Sequence, residues 1–267
     1  MPSGDDPPEQ GRRPLVILDP ASVSEAERDG FRERGFAVVP RLIDDHVVAE
    51  LRAGYDDIIS GRIAARGDRR LGDVIRQVKD PSLDHPVFAA NAAVDAGVRL
   101  AAGLFGHGEY DRAYEMLIDK PSGTVSETPW HEDVGYFGRP VTPAGADTDL
   151  ADIQVWVALD DVDVANGCMQ YLPRAVGAPS LAHRVASGDP DDEGRLIEID
   201  GDLDTAAAVA CPLAAGGATV HTVGAPHFTG ANLTDRPRRA YIFNIGPRRF
   251  SQSVQAAVRA GYGLGDT

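Results

Sequence analysis

Lysine is nearly absent from this 267-residue chain: of 26 basic residues, only Lys79 and Lys120 are lysines, which leaves 24 arginines. With abundant Ala, Gly and Asp, that bias has the look of GC-rich bacterial coding. Cysteine is equally scarce. Cys168 and Cys211 lie far apart and outside any C-x-x-C pattern, which in practice excludes a structural zinc site and does not suggest a disulfide framework. Both read as small buried hydrophobes, and the usage fits a reducing, cytoplasmic setting. No uninterrupted apolar run approaches the roughly 18 residues of a membrane span. The opening MPSGDDPPEQGRRP lacks the apolar core of a secretory signal. Charged and proline-rich, it reads as a disordered tail over residues 1–13, ahead of a single domain over 14–267. Positive charge is also short overall. A net charge of −15 repels phosphate backbones and anionic bilayers, so neither nucleic acid nor membrane is an expected partner, and a small molecule is.

What is present builds a core. Hydrophobic residues make up 43% of the chain, enough to exclude global disorder. Ser24 and Glu27 form an S-x-x-E capping box, and Gly35 is placed to end the helix they open. FAVVP (36–40) reads as a strand. DDHVVAELRAGYDDII (44–59) reads as a helix with Val47, Val48, Leu51, Tyr55 and Ile58 on one stripe, and a third helix is expected near 88–105. The period then changes. Short β-like runs cover 113–120, 152–162, 168–173, 195–199, 207–213, 218–223 and 238–246, separated by Gly, Pro, Asn and Asp. Long loops are expected near 60–80, 139–151 and 176–194. Helices first and strands after predict an α+β protein, mainly β in its core, with two sheets packed together.

ETPWHEDVGYF (127–137) carries the chemistry. On a strand, His131 and Asp133 point to one face and Glu132 to the other. An imidazole and a carboxylate together suit a divalent metal, and a third ligand must come from elsewhere. Of the seven histidines, His227 has the richest setting, in HTVGAPHFTGANLTDRPRRAYIF (221–243), with Thr229, Asn232, Thr234 and Arg238 after it. Arg238 is suited to hold a carboxylate bidentately. Two histidines and one carboxylate on one face of a metal leave three adjacent positions open, the geometry of non-haem iron(II) oxygenases. His221, six residues before His227, is the competing ligand. Trp130, Tyr136 and Phe137 flank the motif. Trp130 reads as packing, and Tyr136 and Phe137 as either packing or a substrate wall. Arg76 and Arg139 read as solvated surface residues, with contact to an anionic substrate as the alternative.

PWHEDVGYF, QVWVALDDVDVANGCMQYLPRA and HFTGANLTDRPRRA together resemble the phytanoyl-CoA dioxygenase family of iron(II)/2-oxoglutarate-dependent oxygenases, and FRERGFAVVPRLIDDHVVAELRA resembles that family's opening. The resemblance covers roughly residues 22 to 246. It implies a double-stranded β-helix, a relative of the jelly roll and cupin, with N-terminal bracing helices. It implies iron(II) on His131, Asp133 and His227, and 2-oxoglutarate bound through Arg238 with help from Thr229 and with Trp156 nearby. Counted from His221, the position of Arg238 would be taken by Asn232, which cannot clamp a carboxylate. Three departures stand out. VGAPS follows YLPRA where the family has a Gly-Ser-His turn, and Gly217 stands where an aspartate is common. Tyr114, Met116 and Ile118 give an apolar face where relatives place polar residues around the cosubstrate.

The implied activity consumes 2-oxoglutarate and dioxygen and oxidises an unactivated C–H bond of a small molecule, by hydroxylation, cyclisation or desaturation. A tailoring step in bacterial secondary metabolism, such as antibiotic biosynthesis, fits the composition and the family's common use. Asp133 disfavours halogenation, which in relatives needs a small residue there. The absence of a basic cluster disfavours an acyl-CoA substrate. The alternative is a jelly-roll protein that binds a metal or ligand without oxygenase activity.

Overall fold

The computed structural model describes residues 15–71, 75–106, 108–136, 151–189, 192 and 196–264. The tail expected over 1–13, Phe137, Arg139 and most of the loop expected at 139–151 lie outside them. Ser24 caps helix α1 (Glu25–Arg34) in a complete capping box, and Gly35 ends it at φ +75°. Strand β1 (Phe36–Val39) is buried throughout. Helix α2 (Asp45–Ile59) starts from Asp44 and buries Val48, Leu51, Tyr55 and Ile58.

The third expected helix divides. Helix α3 (Pro86–Ala89) is one turn, Ala90 is extended, and Asn91 caps helix α4 (Ala92–Phe105) by accepting from the amides of Ala93 and Val94. The segment Pro86–Phe105 has the length and hydropathy to cross a membrane. Here the break at residues 90–91 interrupts it, and α4 buries Ala93, Ala96, Leu100 and Leu104 in the core.

The remaining strands are β2 (Gly67–Leu71), β3 (Ile75–Lys79), β4 (Tyr110–Lys120), β5 (Thr128–His131), β6 (Ile153–Ala158), β7 (Met169–Tyr171), β8 (His183–Val185), β9 (Ile197–Ile199), β10 (Val209–Cys211), β11 (Ala218–His221), β12 (His227–Thr229) and β13 (Arg238–Pro247). A major sheet runs β1-β11-β6-β13-β4-β3-β2, a minor sheet runs β10-β7-β12-β5, and β8 and β9 form a separate hairpin. The fold is a jelly roll. Side chains alternate across the major sheet. Val155, Val157, Tyr241 and Phe243 pack on the helices, while Trp156, Ile242, Phe36 and Val38 pack inward with Tyr171, Met169 and Cys211 of the minor sheet. Cys168 and Cys211 are free and sit in this inner layer, as the sequence led us to expect.

Two parts of the fold differ from the reading of the sequence. Residues 60–80 hold the hairpin β2–β3, whose charged face hid its alternation; Arg76 grips Asp68 across it. Residues 176–194 contain β8. A C-terminal helix, α5 (Arg248–Gly261), was also unanticipated. Strand β3 pairs only with Met116–Asp119, so the first half of β4 lacks a strand on that side. Helix α5 covers that edge, with Ser251 donating to the Asp111 carbonyl at 2.8 Å and Gln255 donating to that of Arg112.

Gly97 on α4 marks where helix and sheet approach most closely. A Cβ there would stand 2.7 Å from Phe243 Cε2. Gly97→Ala would improve helix propensity by about 1 kcal/mol, while overpacking costs about 1–3 kcal/mol. The clash should win and lower the thermal midpoint by a few degrees; a raised midpoint would show that α4 shifts freely over the sheet.

Candidate metal centre

Strands β5 and β12 run antiparallel, with His131 directly opposite His227. Both side chains are buried, and their ring centroids lie 4.1 Å apart. Each ring is oriented in the same way. Nδ1 of His131 lies 2.8 Å from the Pro129 carbonyl, and Nδ1 of His227 lies 2.9 Å from the Ala225 carbonyl. A carbonyl can only accept, so each Nδ1 carries the proton and each Nε2 presents a lone pair. Burial lowers both pKa values, that of His227 far below the ordinary range, which keeps the rings neutral and able to ligate.

Asp133 joins them by a route the sequence did not suggest. The strand ends at His131, and Asp133 opens a 3-10 turn to Tyr136. The convergence is therefore made by a turn, not by the two-residue period of a strand. The Val134 amide donates to the Val223 carbonyl at 3.0 Å and holds that turn in place. Oδ1 of Asp133 lies 3.9 Å from Nε2 of His131 and 3.8 Å from Nε2 of His227. The three candidate ligand atoms all lie within 4.8 Å of one another. Bonds of about 2.0–2.2 Å to one ion fit that spacing. Burial pushes the Asp133 carboxyl up, but the three surrounding histidines outweigh it and hold it below the usual carboxylate range.

Glu132 faces away from this group, as expected, but it is fully buried rather than solvated. Its carboxylate accepts from the Leu181 amide at 2.8 Å and lies 3.5 Å from Arg174 Nε, while its own amide donates to His183 Nε2 at 3.0 Å. Gly135 packs beneath the β8–β9 hairpin, where a Cβ would meet Ile197 Cδ1 at 2.5 Å. The ligand-bearing turn is thus clasped from outside.

His221 is not part of the ligand group. Its Nε2 lies 3.2 Å from Asp133 Oδ2, and Gln154 donates to the same oxygen at 2.8 Å. Tyr136 stands edge-on to His131 with centroids 5.6 Å apart, 39% exposed, its hydroxyl accepting from the Ile197 amide. Trp130 stacks on Phe228, each one residue from a ligand and so on the opposite face of the sheet. Arg76 belongs to the β2–β3 hairpin.

A second feature lies beside Thr229, at the far end of β12. Arg238 is 1% exposed, donates to the Gly167 carbonyl and stacks on Trp156, with its guanidinium carbon 4.7 Å from the ring centroid. Directly opposite it on β4 is Lys120, fully buried. Lys120 Nζ donates to Thr229 Oγ1 at 2.8 Å and to the carbonyls of Thr229 and Gly230. Among the described residues neither cation forms an ion pair. Burial lowers Arg238 to about 10, and burial together with Arg238 pushes Lys120 down to about 6. A buried guanidinium beside a buried amine, neither paired with a carboxylate among the described residues, makes a site for an anion, which would return the amine to its charged form. The sequence reading missed Lys120. Its signal was the isolation of one lysine at the end of an apolar strand in a chain that otherwise uses arginine.

A family model described as phytanoyl-CoA dioxygenase matches residues 31–240. The peroxisomal phytanoyl-CoA dioxygenase of Rattus norvegicus is 24% identical over 182 residues, covering 62% of this chain and 51% of the rat protein. The chain spans about half the length of the mammalian relatives it matches. EvdO2 from Micromonospora carbonacea var. aurantiaca, complexed with 2-oxoglutarate, superposes with a TM-score of 0.66 at 31% identity, over 84% of this chain and 91% of that chain. The epimerase SnoN, in complex with Fe3+, alpha ketoglutarate and nogalamycin RO, shares the fold, with a TM-score of 0.65 at 24% identity over 82% of each chain.

Ferrous iron added without oxygen should raise the thermal midpoint of the wild type and leave those of His227→Ala and Asp133→Ala unmoved. An equal rise in the variants would place the ion elsewhere.

Proposed function

The chain belongs to the phytanoyl-CoA dioxygenase family, and from that premise we propose that it is an iron(II)- and 2-oxoglutarate-dependent dioxygenase that oxidises an unactivated C–H bond of a small molecule in bacterial secondary metabolism. The observation that carries this reading is the pairing of two neutral histidines and an ionised aspartate with a buried arginine and lysine that have no carboxylate partner among the described residues and that meet the same strand, β12, at Thr229. His131, Asp133 and His227 would hold iron(II), and Arg238 with Lys120 would hold the far carboxylate of 2-oxoglutarate. Iron(II), 2-oxoglutarate and dioxygen together supply an oxidant strong enough to remove hydrogen from an unreactive C–H bond, giving a hydroxylated, cyclised or desaturated product.

The spacing supports these roles. His227 and Thr229 share one face of β12, two residues or about 7 Å apart, and Lys120 bonds to Thr229. That is the reach of a five-carbon diacid with one end at the metal and the other at the cations. Trp156 stacks on the guanidinium and holds it in place. Met116, Ile118 and Ile242 line the inner face near this path and exclude water, which strengthens the charge pairing at its end. The apolar character of β4 is therefore compatible with cosubstrate binding, because its polar contact comes from Lys120 at the strand's end. Tyr136, beside His131 and partly exposed, is placed to form a substrate wall. EvdO2, at 31% identity and complexed with 2-oxoglutarate, supports the choice of cosubstrate.

Anaerobic titration of the iron-loaded protein with 2-oxoglutarate tests the reading. A visible charge-transfer band is expected, and its absence from folded, iron-loaded protein would favour a binding protein without oxygenase activity. Arg238→Met should weaken 2-oxoglutarate binding by about 3 kcal/mol, roughly a hundredfold. The apo thermal midpoint should hold or rise, because an unpaired buried charge is removed; a fall would make Arg238 a structural prop. Lys120 adds a pH dependence. Anion binding favours its ammonium form, so a proton is taken up on binding wherever the free amine is neutral. Affinity should therefore fall as pH rises above about 6, by up to about tenfold per pH unit, and Lys120→Met should flatten the profile.

A further inference from the structure

The carboxylate of Asp133 is gripped from behind by a cross-strand pair. Gln154 on β6 and His221 on β11 are direct neighbours in register on the inner face of the major sheet. Both are buried, and both reach the same oxygen, Oδ2, at 2.8 Å from Gln154 Nε2 and 3.2 Å from His221 Nε2. The other oxygen, Oδ1, is the one that lies 3.8–3.9 Å from the two ligand imidazoles. We propose that His221 and Gln154 are positioning residues that confine Asp133 to one-oxygen coordination of the iron. The inference rests on the iron(II)/2-oxoglutarate reading above.

The chemistry of the donors supports it. A carboxylate oxygen has two in-plane lone pairs, and two donors occupy both. Gln154 can only donate through its amide nitrogen. The direction of the His221 bond is set by its acceptor, because an ionised carboxylate can only accept. His221 Nδ1 lies 3.0 Å from Tyr171 Oη, which lies 2.8 Å from Thr219 Oγ1. Tyr171 Oη donates to Thr219 Oγ1, and His221 keeps a proton on Nε2, facing Asp133. The opposite tautomer would set a nitrogen lone pair against a carboxylate. Tyr171 is itself fixed by stacking on Phe36, centroids 4.5 Å apart and 10° between planes. In this tautomer His221 has no lone pair toward the metal, so an imidazole whose ring centre lies only 4.5 Å from that of His227 does not become a fourth ligand.

The grip matters because positions on the ion are few. Two imidazoles and one carboxylate oxygen leave three of six open. 2-Oxoglutarate would take two, and one would remain. If Oδ2 also bound, that last position would close. Confinement of Asp133 thus keeps the centre open to a diatomic molecule.

Nitric oxide, added without oxygen to protein loaded with iron(II) and 2-oxoglutarate, probes the open position by electron paramagnetic resonance without any turnover. Gln154→Met and His221→Phe keep volume and remove one donor each. Each should bind iron(II) about tenfold to a hundredfold more weakly. At saturating iron each should also show about tenfold lower nitric oxide affinity than the wild type. His221→Gln, which retains a donor toward Oδ2, should restore most of the signal. Circular dichroism identifies any variant that fails to fold, and the other variant then carries the test. Nitric oxide binding equal to wild type in the folded variants, at equal iron loading, overturns the proposal while leaving the iron reading intact. A wild type that shows no absorption change with iron and 2-oxoglutarate overturns both.

Discussion

Strand β12 lies between β5 and β7, and its pairing with β5 sets His227 directly across from His131. That single ladder position brings together two side chains 96 residues apart in the chain (227 less 131). Because side chains alternate, the same strand then offers Thr229 to Lys120 on the same face. Both ends of the site are thus fixed by one short strand. In its pairing with β5 the register shifts between His227 and Thr229, which face His131 and Thr128, so the ladder is irregular beside the site.

Holding this arrangement costs stability. A guanidinium is removed from water without a counter-charge, a lysine beside it has its pKa pushed down by burial, and three histidines and an aspartate crowd one buried space. The surrounding structure offsets the cost. The inner layer of Trp156, Ile242, Tyr171 and Phe36 packs against the polar groups, and backbone carbonyls absorb the donors of Arg238 and Lys120. An anion and a metal would complete the balance, so ligand binding and folding stability are linked in the same direction.

Much of this was legible in the sequence, for reasons that can be stated. The capping box at Ser24, the stripe of α2 and the strand runs follow local rules that burial did not override. His131, Asp133, His227 and Arg238 could be singled out because their residue types at those spacings suit one chemistry. The path by which Asp133 arrives could not, because a 3-10 turn held by the Val223 carbonyl depends on a contact distant in sequence. Lys120, Gln154 and His221 belong to the same class. Each acts through a cross-strand neighbour, and register is invisible in a single chain. The β2–β3 hairpin hid for a different reason: its charged residues read as a solvated loop, whereas Arg76 pairs with Asp68 across it at an outer edge of the major sheet.

The ladder between β13 and β4 carries its irregularity at Asn244/Ile245, far from Arg238 and Lys120. Sliding one strand against the other by a residue would turn one cation toward the helices and leave its neighbour behind. With the slack confined to the opposite end, chain length can change around the upper rim without disturbing the alignment at the floor. A scaffold built this way can trade one rim for another and still grip the same small acid.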